Sequence, residues 1–439
     1  MKQEEKALAI AKNFFDKENI ICFNKHFYLY NEGIWRLESD ENTEAWIIIE
    51  YIKFYNEPPK SGQLKEITKY ISMYSNNKYR KQIKYINEQH TNNTINVKNG
   101  ILNLNTLKIT SYTKEAFCFY KLPFNYVKDV NIKGFCSTMK KFLMSSMNFN
   151  QNETNKVILD DYKKTLRFIQ EWMGYSLVAG NKYEHSLLMI GEGANGKSVL
   201  QDIWEYIIGK FNCSYVDLKY INDGSQIFMT RNKLVNFSKD LESNQQLDTG
   251  ITKAAVSGQI VIANEKYKGQ MEMNFTAKIV IACNELPYIK NPSNSVKRRF
   301  HILPFTKIFK ESEQDRDLTD KLKKEADQIF TWAVNGLRNL KKRGRFDVPD
   351  RCKYSMANYI KNNDSIEMWI DEENIFKEGS EAKTKDAHDS YVKFCDDSRS
   401  KPFGKNKFYD KLESKGFKRK TLNGVRYFKN IKLPNQTIN

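Results

Sequence analysis

One eight-residue stretch constrains the fold of this chain more than any other part of the sequence. Residues 191–198 read GEGANGKS, which is the Gly-x4-Gly-Lys-Ser spacing of a phosphate-binding P-loop. An apolar run precedes this stretch at residues 186–190, and apolar residues at helical spacing follow it from Val199 to Ile208. The sequence therefore predicts a buried strand, a glycine turn and a helix, the context in which backbone N–H groups and a helix N-terminus bind phosphate.

The residue types within this loop predict a site for a nucleoside triphosphate. Lys197 is expected to contact the β- and γ-phosphates, and the Ser198 hydroxyl is expected to ligate Mg²⁺. ATP and Mg²⁺ are the cofactors that follow from this prediction. The alternative is a strand–helix turn that binds no ligand. The other loop residues, expected to bind phosphate through their backbone, are Gly191, Glu192, Gly193, Ala194, Asn195 and Gly196.

Two later apolar segments end in polar residues that suit the same site. In KLVNFSKDLES (233–243), Asp240 follows an apolar strand, and we expect it to hold Mg²⁺ and help to polarise the attacking water. Glu242 is a second candidate, and a helix-capping role is the alternative for Asp240. In AKIVIACNELP (277–287) a buried strand ends at Asn284, which we expect to touch the γ-phosphate or to orient water.

A basic cluster precedes the next apolar strand. SVKRRFHILPF (295–305) places Lys297, Arg298 and Arg299 directly before that strand. An arginine that reaches the γ-phosphate in a neighbouring subunit acts as an arginine finger, and Arg298 and Arg299 are both candidates. An isolated arginine pair is otherwise surface charge or a nucleic-acid contact.

The charge balance indicates a polyanionic partner. Lys and Arg number 71 against 53 Asp and Glu, a formal net charge of +18. This excess favours a nucleic-acid partner, with a lysine-rich solvated surface as the alternative. No stretch reaches the roughly 18 apolar residues of a membrane span, and the seven cysteines form no CxxC pair. We therefore expect a cytoplasmic protein without membrane contact, disulfide framework or zinc site.

Together these motifs resemble the superfamily 3 helicases of the phage, plasmid and poxvirus primase-helicase type. The likeness includes the segment 168–198, INVKNGILNL (95–104) and IFTWAVNGLRNL (329–340), and it covers about residues 90–345. The resemblance implies an α/β fold with an AAA+-like P-loop ATPase core. It also implies a hexameric ring with ATP between subunits, 3′→5′ travel on single-stranded DNA, and unwinding of duplex during replication of a mobile element, plasmid or phage.

The family also presents a β-hairpin into the channel of its ring. Here the strands would be residues 260–263 and 271–275, with a basic and aromatic tip between them. Such a tip suits single-stranded DNA, because its lysine side chains can contact successive phosphates and its aromatic side chain can stack on a base. An ordinary exposed hairpin is the alternative. The DNA-contacting residues implied for this region are Lys253, Lys266, Tyr267 and Lys268.

The sequence departs from the family pattern at two places. Ser257-Gly258-Gln259 stands where the family usually has Ser-Gly-Asp, which puts contacts at the hairpin base in doubt. Lys239-Asp240 is less acidic than the usual Walker B segment, which leaves the catalytic base open.

The C-terminal residues predict a winged helix. Helices are expected over 387–399 and 404–416, followed by two strands about Asn423-Gly424 within 417–433. Residues 377–383 are interpreted as a linker. The basic residues favour contacts with DNA, and protein contacts are the alternative. The candidate DNA-binding residues are Lys405, Lys407, Lys411, Arg419, Lys420 and Arg426, with Lys418 beside them on the wing.

We expect four parts in the chain. Residues 1–150 would form an N-terminal α/β collar or assembly domain without priming activity, and 151–345 the ATPase core. Residues 346–380 would be a helical connector and 381–439 the winged helix. The expected partners are single-stranded and forked DNA, further copies of the chain, and a separate primase or polymerase. The alternative functions are an ATP-switched origin-binding module and a protein-remodelling ATPase.

Overall fold

The computed structural model describes residues 2–16, 20–23, 26–78, 93–127, 136–150, 152–239, 254–266, 269–286, 294–398 and 402–434. These residues form a mixed α/β structure that contains a parallel five-stranded sheet. Within the described residues, no helix combines the length and apolar character needed to cross a membrane. Asp240, Glu242, Lys253, Tyr267 and Lys268 lie outside the described residues, so their roles stay predictions.

Strands and helices are numbered along the described parts of the chain. The strands are β1 (Ile20–Phe23), β2 (His26–Asn31), β3 (Ile34–Leu37), β4 (Thr94–Val97), β5 (Gly100–Asn103), β6 (Ile109–Thr110), β7 (Ser186–Ile190), β8 (Cys213–Ser214), β9 (Val235–Lys239), β10 (Ile260–Glu265), β11 (Gly269–Asn274), β12 (Lys278–Cys283), β13 (Phe300–Pro304), β14 (Phe376–Lys383), β15 (Arg419–Leu422) and β16 (Val425–Ile431). The helices are α1 (Gln3–Asp16), α2 (Asp40–Tyr55), α3 (Ser61–Lys78), α4 (Ser137–Ser146), α5 (Lys156–Tyr175), α6 (Lys197–Ile208), α7 (Gly224–Phe228), α8 (Asn294–Arg299), α9 (Leu318–Lys324), α10 (Ala326–Arg343), α11 (Asp350–Asn362), α12 (Ser365–Glu372), α13 (Thr384–Asp397) and α14 (Lys405–Ser414).

The parallel sheet has the strand order β13-β7-β12-β9-β8. Its strands are apolar because both faces are covered. Residues of α5, α6 and α10 share a core with one face, whereas the β10–β11 hairpin and α11 share a core with the other. Parallel strands place their carboxyl ends at one edge, so the chain leaves β7, β12 and β9 side by side at that edge.

Two glycines allow α5 and α10 to pack closely against each other. A Cβ atom at Gly174 would overlap the carbonyl oxygen of Ala333, and one at Gly336 would overlap the carbonyl oxygen of Gln170. The amide nitrogen of the Gln170 side chain also donates to the carbonyl of Trp332 at 2.9 Å. This crossing holds the helix that precedes β7 in a defined position.

The N-terminal residues form a lobe with its own apolar core. Helices α1, α2 and α3 share that core with β1 and β2. Strands β2 and β3 form a hairpin in this lobe, with Asn31 paired to Ile34 and with Glu32 and Gly33 at φ of 49° and 87° in its turn. This lobe contacts the rest of the chain where the Arg231 guanidinium donates to the Tyr28 hydroxyl at 2.7 Å.

The C-terminal lobe runs α12, β14, α13, α14, β15 and β16, and its sheet has the order β14-β16-β15. The interpretation of 377–383 as a linker is wrong, because β14 occupies Phe376–Lys383 and pairs with β16. Ala382 is buried opposite Phe428 in that pairing. The polar sequence KEGSEAK does not predict a strand, and the partner strand supplies the hydrogen bonds that make it one.

Candidate functional site

The predicted P-loop joins β7 to α6 at the carboxyl edge of the sheet. Gly196 is the residue before α6 and has φ of 92°, which only glycine adopts readily. A Cβ atom there would also lie 2.6 Å from the Ser146 hydroxyl of α4. Both the backbone conformation and the packing therefore require glycine at this position.

Lys197 is the first residue of α6, and its side chain turns back over the loop. The residue is only 7% exposed. Its ammonium group donates to the carbonyl of Gly191, to that of Glu192 at 3.2 Å, and to the side chain of Asn195 at 3.2 Å. The side-chain oxygen of Asn284 is also within reach, at 3.4 Å. Oxygen atoms of the loop and of Asn284 therefore hold the Lys197 ammonium group at the start of α6.

Asn195 organises the loop through its side chain, a role that the sequence prediction did not give it. Its oxygen accepts hydrogen bonds from the backbone N–H of Lys197 at 3.3 Å and from the ammonium group of the same lysine. Its side-chain nitrogen donates to the carbonyl of Glu192. Asn195 is only 3% exposed, so its polar atoms depend on these hydrogen bonds within the protein. No motif rule for the variable positions of the loop could have found this role.

A cavity of about 450 Å³ opens over the loop, and residues 193–198 and Asn284 are among those that line it. Ser198 is exposed at this cavity, as is Asp202 one helical turn later on α6. Asp202 is a carboxylate that the sequence prediction missed, although its i, i+4 spacing from Ser198 could have indicated it. A hydroxyl and a carboxylate on adjacent turns are oxygen donors of the kind that Mg²⁺ uses beside a phosphate.

Asn284 lies at this site because of the strand order. It follows β12, which pairs with β7 so that Cys283 is opposite Ile190, the last residue before the loop. On its other side β12 pairs with β9, where Ala282 is opposite Lys239. The residue that follows Lys239 is Asp240, which lies outside the described residues.

The structure separates Arg298 and Arg299 from the P-loop of the same chain. Both precede β13, whose first residue Phe300 is opposite Ser186 at the start of β7. The loop begins at the other end of that five-residue strand, about 13 Å away at a rise of about 3.3 Å per residue. Neither arginine is brought to the P-loop of this chain.

The hairpin predicted from strands at 260–263 and 271–275 is confirmed, and its strands are β10 and β11. Val261 and Ala263 point into the core, whereas Ile260 and Ile262 are 61% and 62% exposed on the opposite face. Lys266 at the tip is exposed. The imidazole of His26 in the N-terminal lobe lies 3.0 Å from the carboxylate of Glu265, so that lobe contacts the hairpin next to its tip.

The basic residues of the C-terminal lobe fall into two groups. Lys405, Lys407 and Arg426 are exposed, and the ammonium groups of Lys407 and Lys411 lie 4.9 and 4.8 Å from the ring centroid of Phe403. By contrast, the Arg419 guanidinium donates to Glu413 at 2.7 Å, and the Lys420 ammonium pairs with Glu381. The structure therefore gives Arg419 and Lys420 carboxylate partners within the lobe.

A family profile matches the nucleotide-site region of this chain. It is described as a family of unknown function, DUF5906, and it covers residues 189–299, from the end of β7 to Arg299. Among solved structures, the chain is similar to "The A form apo structure of NrS-1 C terminal region-CTR" with a TM-score of 0.54 and 12% identity. That likeness covers 96% of this chain and 99% of the other, and it shows a shared fold.

Two viral proteins are similar to part of the chain. A "Putative helicase" of Acanthamoeba polyphaga mimivirus is 26% identical over 185 residues, which is 40% of this chain and 19% of that protein. A "Putative helicase" of Invertebrate iridescent virus 6 is 24% identical over 165 residues, 35% of this chain and 17% of that protein. The chain thus matches less than a fifth of the length of either viral relative.

Proposed function

We propose that this chain is the motor subunit of an ATP-driven DNA helicase of the superfamily 3 type, acting in the replication of a mobile element, plasmid or phage. The observation that carries the proposal is the meeting of Lys197 and Asn284, 3.4 Å apart, where two adjacent parallel strands end at a P-loop. A cation and an amide placed together there suit the charge that develops on a γ-phosphate during its transfer to water.

ATP would bind with its phosphates along residues 191–198. Lys197 would exchange its carbonyl partners for phosphate oxygens, because a charged acceptor makes the stronger hydrogen bond. Asn284 would orient the attacking water or contact the γ-phosphate. Ser198 and Asp240 would hold Mg²⁺, which would neutralise part of the phosphate charge when bound.

The position of the arginines supports a ring of subunits. Because Arg298 and Arg299 lie at the amino edge of the sheet, an arginine finger from this segment would act in a neighbouring subunit. The exposed face of the β10–β11 hairpin would line the channel of that ring, with Lys266, Tyr267 and Lys268 at the DNA strand. We infer an AAA+-like hexamer in which the N-terminal lobe is the collar.

The C-terminal lobe would be a winged helix that binds DNA. Its element order places α14 before a two-stranded hairpin, and Lys405, Lys407, Lys411 and Arg426 supply cations on those elements. The net charge of +18 supports a nucleic-acid partner for the chain as a whole. The names of the viral relatives support the same class of activity.

The deciding experiment measures ATP hydrolysis with and without single-stranded DNA, on the wild type and on the Lys266→Ala/Lys268→Ala variant. A Lys210→Ala/Lys219→Ala variant removes two exposed lysines elsewhere and is the charge-matched control. We expect DNA to stimulate the wild type and the control, and the hairpin variant to keep only its DNA-independent rate. Unwinding of a forked substrate should be lost in Lys197→Ala.

Two other results would replace the helicase proposal. DNA binding that needs ATP, without unwinding or stimulated hydrolysis, would indicate an assembly switch at an origin. Hydrolysis that DNA does not change, together with DNA binding that salt hardly affects, would indicate an ATPase that remodels proteins.

A further inference from the structure

Arg299 differs from its neighbour Arg298 in what surrounds it. Its Nε atom donates to the Ser257 hydroxyl at 2.9 Å, and its Nη2 atom lies 3.3 Å from a carboxylate oxygen of Glu184. The Ser257 hydroxyl donates to the same carboxylate oxygen at 3.3 Å, which closes a three-residue cluster. The Arg299 side chain is 12% exposed, whereas Arg298 is exposed to solvent.

The cluster sits at the base of the β10–β11 hairpin. Ser257 lies just before β10, and Glu184 belongs to the loop between α5 and β7. Asn181 in that loop holds the two legs of the hairpin together, because its side-chain nitrogen lies within 3.2 Å of three carbonyl oxygens. These carbonyls belong to Ala255 before the hairpin and to Phe275 and Ala277 after it.

The same loop fixes the backbone that presents Arg298. The ring of His185 makes a hydrogen bond with the backbone of Arg298, and the Ser186 hydroxyl donates to the carbonyl of Arg299 at 3.5 Å. Residues 184–186 therefore contact both the hairpin base and the segment of the two arginines. A displacement of that segment would be transmitted to Ser257 through hydrogen bonds of 2.9 to 3.5 Å.

We propose that the two arginines have different roles, with Arg298 as the finger and Arg299 as a positioning residue that ties the finger segment to the hairpin base. The proposal rests on the ring ATPase proposed above. Ser257 and Glu184 engage two of the five N–H donors of Arg299 and so hold this guanidinium at the hairpin base. Arg298 is exposed, and among the described residues no hydrogen bond or ion pair engages its guanidinium, so its fork can reach a phosphate. Engagement of Arg298 with a γ-phosphate in the next subunit would thus be coupled, through Arg299, Ser257 and Glu184, to the position of the DNA-binding hairpin.

The test compares Arg298→Gln with Arg299→Gln, Ser257→Ala and Glu184→Gln on the full chain, with Lys297→Gln as the control on the same helix. ATP hydrolysis is measured at saturating ATP, first without DNA and then with single-stranded DNA. We expect Arg298→Gln to lower hydrolysis under both conditions by about 10³-fold, as the loss of a finger does. Ser257→Ala and Glu184→Gln should keep the DNA-free rate and lose about 2- to 30-fold of the DNA stimulation, the range for coupling through packed networks.

Three results decide the proposal. Equal losses of DNA-free hydrolysis in Arg298→Gln and Arg299→Gln would overturn it, because Arg299 would then act at the phosphate itself. Full DNA stimulation in Ser257→Ala and Glu184→Gln would overturn the coupling role, provided that both variants melt at the wild-type temperature. A wild type that DNA does not stimulate would overturn both the helicase proposal and the coupling, while the DNA-free rates of the two arginine variants still decide which one is the finger.

Discussion

The side-chain oxygen of Asn284 lies 3.4 Å from the ammonium nitrogen of Lys197, although 87 residues separate them in the chain. The two residues meet because β12 is the direct neighbour of β7 in the sheet and ends level with it. The amide adds a neutral dipole to a site that already holds a cation. Substitution of Asn284 therefore tests the chemical step of ATP hydrolysis, and not only the binding of phosphate.

We expect Asn284→Ala to lower the kcat of ATP hydrolysis by about 10²- to 10³-fold, the usual cost of removing one polar group that acts on the transition state. The KM for ATP should change little, since Lys197 and the loop backbone remain. Steady-state kinetics with Asn406→Ala as an exposed control would measure this. An increase in KM at unchanged kcat would show that Asn284 only helps to bind the nucleotide.

The two groups of basic residues in the C-terminal lobe should differ in their effect on DNA binding. Lys405→Gln/Lys407→Gln removes two exposed cations, so affinity for duplex DNA should fall and the salt slope of log K should decrease by about 2. Arg419→Gln/Lys420→Gln should have the smaller effect, because Glu413 and Glu381 already pair with these cations. Fluorescence anisotropy across a salt series compares the DNA affinities of the two double variants. Equal losses of affinity would contradict the division into two groups.

Gly336→Ala should destabilise the chain by about 1–3 kcal/mol, as expected for an added atom in a well-packed crossing. The new Cβ atom would overlap the carbonyl oxygen of Gln170 and push α10 away from α5. Gly62→Ala is the matched control, since a Cβ atom in α3 would meet nothing within 4 Å. Urea unfolding measures both variants, and an unchanged midpoint for Gly336→Ala would show that the crossing relaxes freely.

The paired histidines at the amino edge of the sheet should make stability depend on pH. His185 and His301 have ring centroids 4.3 Å apart. Burial lowers the pKa of His185 to about 4 and also lowers the pKa of His301. Between pH 6.5 and pH 4 the unfolded chain therefore binds more protons than the folded one, and acidification destabilises the fold by about 1.4 kcal/mol per pH unit for each histidine.

The check is the unfolding free energy measured between pH 7 and pH 5 for the wild type and His301→Phe. The phenylalanine keeps an aromatic ring beside Phe346 and does not titrate. The variant should show about half of the wild-type slope, since one of the two histidines remains. A wild-type slope near zero would mean that both imidazoles are protonated as easily in the folded chain as in the unfolded one.

Local features were readable from the sequence. Strand β7, the P-loop and α6 follow from an apolar run, a glycine spacing and a helical period within residues 186–208, and the turn at Glu32-Gly33 follows from its residue types. The end of a buried strand at about Asn284 was likewise predicted from a continuous apolar segment, and β12 ends one residue earlier, at Cys283. These features depend on neighbours in the chain, so an amino-acid pattern is enough to determine them.

Only the tertiary structure decided which distant groups meet. Nothing in the local sequence distinguishes Arg298 from Arg299. In the structure, Glu184 and Ser257 bind Arg299, whereas Arg298 stays exposed. Pairing with β16 likewise turns the polar segment Phe376–Lys383 into a strand. Hydrogen bonds and ion pairs between segments far apart in the chain carry no periodic signal, so their partners are set by strand order and packing rather than by local composition.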